Sequence, residues 1–137
     1  MRLFEITTNV LYHVTTTANA EKIRHKGILP LQTSNWVKGS PDGERYGAGE
    51  IFAFEHKSDA VRWAGKMDWD FNQAFGTGKI SIVEFLADDD SWNIDTADPL
   101  GQVGAAGKWF KRRKHVAAGL IQNIYPVTIE MIKSNRL

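Results

Sequence analysis

Nine residues, KISIVEFLA at 79–87, carry the clearest strand pattern in the chain: β-branched and aromatic side chains in a short run, bounded by GTG before and DDD after. A strand needs partners, and three other stretches supply them. Residues 10–15 are a β-branched and aromatic run that holds His13 in its middle, and EIFAFE at 50–55 alternates briefly. A further strand is expected near 119–125, followed by a turn at Pro126 and a short closing helix within HVAAGLIQNIYPVTIEMIKSN.

Helices fall between these strands. Thr17 or Asn19 is expected to cap a helix whose apolar positions are Ala20, Ile23 and Ile28, with Gly27 as its C′ residue and Pro30 beyond it. Ser58 or Asp59 is expected to cap DAVRWAGKMDW, where Ala60, Val61, Trp63, Ala64 and Met67 have helical spacing. The stretch 32–49 is rich in Gly, Ser, Pro and Asp and reads as a long loop, a kind that often carries function. Residues 88–107 are acidic, then Gly-rich, and read as mostly irregular. The order strand, helix, loop, strand, helix, strand, strand argues for an α+β fold rather than a doubly wound sheet.

Length and composition narrow the class. A chain of 137 residues suits one domain, because roughly 68% of its extended surface can be buried. Residues 1–10 read as a lead-in, and 11–137 as the single domain. Hydrophobic residues at 42% and charged residues at 24% are ordinary for a soluble globular chain, so neither disorder nor a membrane class is suggested. No apolar run reaches the roughly 20 residues of a membrane span, and MRLFEITTNV lacks the apolar block of a secretory signal. A cytoplasmic protein without a membrane partner is expected. The absence of cysteine removes disulfides, thiolate catalysis and cysteine-ligated zinc. With four scattered histidines, no metal is expected. The net charge of +1 excludes a uniformly basic nucleic-acid binder, although KWFKRRKH at 108–115 is locally basic.

Two segments share a resemblance. LYHVTTTANAEKIRHKGILP at 11–30 resembles the first motif of the ADP-ribosyltransferase superfamily, in which a strand carries His, a small residue and Ser or Thr, followed by a helix and a Gly. YGAGEIFAFEHKSDAVRWA at 46–64 resembles the Gly-rich turn, strand and helix of the nicotinamide pocket in poly(ADP-ribose) polymerase domains. KISIVEFLA sits where that fold has a central strand, and PVTIEMI at 126–132 resembles the closing segment of small members. The overall texture also resembles hypothetical proteins of tailed phages, for which the host cytoplasm would be the location.

The resemblance implies two small, mainly antiparallel sheets packed as a split β-sandwich with flanking helices. It implies NAD, or a related nucleotide, as ligand and substrate. His13 would meet a ribose hydroxyl, Thr15 would support the nicotinamide amide or its neighbouring ribose, and Tyr46, Phe52 and Trp63 would hold the ring. Neutral imidazole suits a hydroxyl because it offers one donor and one acceptor, and aromatic faces suit a flat cation. Gly47 and Gly49 would let backbone approach closely, and Val14, where the polymerases have Gly, would narrow that approach.

Active members also carry a late-strand glutamate that stabilises developing positive charge. The corresponding stretch here, KHVAAGLIQNIY, has no acidic residue, which leaves Gln122 and His115 as the nearest catalytic candidates. Glu84 falls at a position that is acidic but not catalytic in the family. Lys108, Trp109, Lys111, Arg112 and Arg113 occupy the family's target-recognition loop, which implies an acidic protein or a nucleic acid as acceptor. Two functions follow: ADP-ribose transfer to such an acceptor, or a non-enzymatic module that kept the fold and binds nucleic acid or a protein. RNA 2′-phosphotransfer on a related fold would need basic site residues that are not placed here.

Overall fold

The computed structural model describes residues 10–30, 50–70, 77–87, 91–94 and 105–135, with the side chains of 66–70, 77–79 and 135 excepted. Tyr46, Gly47, Gly49 and the expected loop 32–49 lie outside the described residues, as does the side chain of Met67.

The first strand, β1 (Val10–Thr16), leads directly into α1 (Thr17–Lys26). The cap is Thr16 rather than Thr17 or Asn19: its backbone is extended, and its hydroxyl accepts the Asn19 N–H at 3.2 Å. Thr17 and Asn19 turn inward instead, to Ser81 and Thr15. The helix stops at Gly27, whose φ of 78° favours glycine and whose N–H returns to the Ile23 carbonyl. A Cβ there would also collide with the Val116 carbonyl.

After β2 (Ile51–Phe54) comes α2 (Lys57–Asp70), then β3 (Thr77–Leu86), the two-residue β4 (Asn93–Ile94) and β5 (Trp109–Arg112). A 3₁₀ turn (Ala118–Leu120) opens into β6 (Ile121–Thr128), and α3 (Ile129–Asn135) follows. Two of these elements differ from the sequence reading. The basic run 108–115 contributes a strand, because Trp109 and Phe110 bury on opposite faces of the sheet. The expected turn at Pro126 is strand: β6 is an edge strand, where the missing N–H of proline is tolerated.

The six strands form one antiparallel sheet in the order β4-β5-β2-β1-β3-β6, so the fold is α+β. Its alternating side chains feed two cores. Val14, Phe54, Ile80, Ile82 and Trp109 pack under α2 and α3, while Leu11, Val83, Phe85 and Phe110 pack under α1 with Ala20 and Ile23. Each fully buried aliphatic or aromatic side chain in these layers contributes about 1.5–3 kcal/mol. The joints of the sheet are unequal. β1 pairs with β3 through seven registered residues, from Val10↔Leu86 to Thr16↔Ile80, whereas β1 and β2 share the single ladder pair Tyr12↔Phe54. Beyond it, toward Thr15 and Ile51, no further ladder pair joins these two strands.

Candidate nucleotide site

His13 lies where the ladder between β1 and β2 stops. Its Nδ1 is 2.7 Å from the Phe52 carbonyl on the facing strand. A carbonyl can only accept, so Nδ1 carries the proton and donates, and Nε2 of the neutral ring keeps its lone pair. Burial lowers the imidazole pKa below its ordinary 6.5, and the bond to Phe52 offsets this in part, so the neutral form is the one present at pH 7. The side chain is only half-buried, and Nε2 has no partner among the described residues. The structure therefore holds an oriented hydrogen-bond acceptor at the one thin joint of the sheet.

The aromatic candidates sit on the α2 side. Counting from Tyr12↔Phe54 puts His13 beside Ala53 and Val14 beside Phe52, so the His13 and Phe52 side chains leave their strands toward opposite faces. Phe52 and Trp63 are both half-buried against the α2 core. Trp63 packs 6.1 Å from Phe54 and 5.6 Å from Trp109, the latter edge-on. His13 touches the backbone of Phe52, and the two aromatic rings lie across the sheet from the Cβ of His13.

Thr15 is fully buried, and its hydroxyl accepts from Asn19 Nδ2 at 2.8 Å. That bond ties the start of α1 to β1 and takes the hydroxyl away from any ligand. Neither catalytic candidate stands beside His13. Gln122 is exposed on the edge strand β6, its amide donating to the Leu120 carbonyl, and β3 lies between that strand and β1. His115 is exposed in the turn after β5.

The five target-binding candidates separate. Trp109 and Arg112 are 3% and 2% exposed, which removes both from contact with an acceptor. Arg112 donates from Nε to the Lys114 carbonyl at 2.8 Å, from Nη2 to the His115 carbonyl at 2.7 Å and from Nη1 to Ser91 Oγ at 3.0 Å, and its guanidinium lies over the Trp92 ring. Lys111 is half-buried with its ammonium 4.0 Å from the Glu50 carboxylate. Lys108 and Arg113 are exposed.

One polar group, expected from the resemblance to be acidic but not catalytic, has a network of its own. Glu84 faces Tyr12 across β1–β3 and accepts from Tyr125 Oη at 2.9 Å and Asn123 Nδ2 at 3.3 Å, while Lys57 caps the Tyr125 ring at 3.7 Å. The bond to Glu84 raises the Tyr125 pKa; burial, then the Glu84 charge, raises that of Tyr12. This cluster is on the α2 face, away from the Cβ of His13. Among the described residues no group of three or more His, Asp or Glu could hold a metal ion, and no helix is long and apolar enough to cross a membrane.

The fold and site define a small α+β domain with an open antiparallel sheet and a histidine at its thinnest joint. No protein-family model matches the chain, and no curated protein matches it either.

Proposed function

We propose that the chain is an ADP-ribosyltransferase-like domain that binds NAD or a related nucleotide at the β1–β2 opening and has little or no transfer activity. The observation that carries this reading is the bond from His13 Nδ1 to the Phe52 carbonyl, which leaves Nε2 as an acceptor at the point where strand pairing ends. A ribose hydroxyl can donate to that nitrogen. In this reading the joint is the split between two three-stranded halves, β4-β5-β2 and β1-β3-β6, and the ligand enters between them. Phe52 and Trp63 lie on the other face of the sheet from the His13 side chain, so the ring contacts expected of them are not part of this reading.

The weak chemistry follows from charge. Loss of a nicotinamide leaving group builds positive charge on the sugar, and removing one preorganised stabilising group commonly costs about 10² to 10³ in rate. Gln122 and His115 do not supply that charge at His13. A binding module without turnover, with a nucleic acid or a phage or host protein as partner, is the second reading favoured by the same placement.

The test is a melting series with NAD. At a hundredfold excess over its Kd a ligand adds about 2.7 kcal/mol to stability, a shift of several degrees. The proposal expects that shift in the native chain and its loss in His13→Ala, with no NAD consumed. No shift up to millimolar NAD overturns nucleotide binding, and rapid NAD turnover overturns the inert-site part.

A further inference from the structure

Five of the eight exposed Lys and Arg among the described residues gather where the sequence does not show them together. The antiparallel bridge Ile28↔Val116 is closed by two bonds of 2.9 and 2.8 Å, and Gly27 seats against the backbone of Val116 to Ala118. α1 enters this bridge from one side with Lys22, Arg24, His25 and Lys26 exposed, and the turn 113–115 enters from the other with Arg113, Lys114 and His115 exposed. Arg112 fixes that turn from beneath: it binds the carbonyls of Lys114 and His115, so the backbone faces inward and the turn's side chains face out.

We infer that this strip, α1's last turns plus the 113–115 turn, is a contact surface for the phosphate backbone of double-stranded nucleic acid. Part of it has a local cause, since cations in the last turn of a helix offset its dipole. That cause does not reach Lys22 or Arg113. Among the described residues of the strip, five Lys and Arg, Lys22, Arg24, Lys26, Arg113 and Lys114, stand against Glu21, a local balance of +4 in a chain of net +1, which leaves −3 for the remainder. Charge is thus segregated, and a strip of it suits a linear polyanion.

A protein partner would need an apolar centre with aromatic anchors. Among the described residues the strip offers only Leu29, and Trp92, Trp109 and Phe110 are buried. Single-stranded binding would need exposed rings for bases to stack on; a duplex backbone needs only the cations. This inference does not rest on the nucleotide reading.

The experiment is fluorescence anisotropy of a labelled DNA duplex with the whole chain, across a salt series. Four phosphate contacts give a slope of log K against log salt of about −3.6, a loss of roughly 150-fold in affinity between 50 and 200 mM salt. Arg113→Gln, and separately Lys22→Gln with Lys26→Gln, should each weaken binding and flatten the slope by about 0.9 per residue while the melting temperature holds. Absence of duplex binding at low salt overturns the inference, as do variants that bind like the native chain. Poly-glutamate bound as tightly as the duplex through the same residues overturns it in favour of an acidic protein, and tighter binding of a single strand overturns the duplex preference.

Discussion

Arg112 and Arg113 are neighbours in one basic run, yet replacing them should have opposite consequences. The Arg112 guanidinium makes three hydrogen bonds, to two carbonyls and a hydroxyl, and stacks on Trp92 at 4.5 Å. Hydrogen bonds from a charged group contribute about 1.5–3 kcal/mol each, and the stacking about 0.5–2. Truncation to Ala leaves space beneath the exposed 113–115 turn through which water can reach the freed carbonyls, and the lower ends of those ranges apply. Arg112→Ala should therefore cost about 5 kcal/mol. Lysine offers no planar fork, so Arg112→Lys should recover only part of this. Arg113→Ala, at an exposed position, should stay within about 0.5 kcal/mol of the native chain. Urea denaturation followed by tryptophan fluorescence measures all three. If Arg112→Ala loses less than about 1 kcal/mol, or Arg113→Ala loses as much as Arg112→Ala, the assignment of Arg112 as the brace of this turn is wrong.

Two further outcomes can be measured on the same footing. Gly107→Ala should destabilise by about 1–3 kcal/mol, because its Cβ would sit 2.7 Å from Glu55 Oε1 and against the His56 ring, in a segment held by Asp59 through the Ala106 and Gly107 N–H groups. Adding His56→Ala should recover only part of the loss, since His56 is exposed and can swing away whereas Glu55 is buried; full recovery would show that Glu55 is no obstacle. The lowered pKa of His13 means that the unfolded chain binds more protons than the folded one below pH 6.5. Its contribution is complete above that value and is lost as pH falls through the lower folded pKa, so His13→Gln should flatten the decline in melting temperature between pH 6.5 and acid; an unchanged decline would rule His13 out as its source.

How much of this was legible in the sequence depended on whether the relevant contact was local. The limits of β1, the C′ glycine at 27 and the pattern of β3 come from near neighbours, and the expected positions agree with the observed ones within a few residues. The cap is Thr16 rather than the expected Thr17 or Asn19 because TTT offers three similar hydroxyls, and which one caps depends on where Ser81 and Asn19 draw the others. β5 was hidden by its charges: four of the residues 108–113 are Lys or Arg, and only pairing to β2 on one side and β4 on the other makes the run a strand. Pro126 read as a turn because an edge position is a property of the whole sheet. At the site, the sequence pointed to His13 but could not supply its partner, a backbone carbonyl 39 residues away, nor the register that sends His13 and Phe52 to different faces. Thr15 and Arg112 were named for their chemistry and turned out to spend it internally.

The most direct measurement is the ¹⁵N spectrum of the His13 imidazole at pH 7, recorded without and with NAD. Proton on Nδ1, lone pair on Nε2, and a shift of the Nε2 resonance on saturation with NAD are the expected result, since a ribose hydroxyl would donate to that nitrogen. An imidazolium, a proton on Nε2, or an Nε2 resonance that ignores NAD would contradict the assignment of His13 as the nucleotide-binding group.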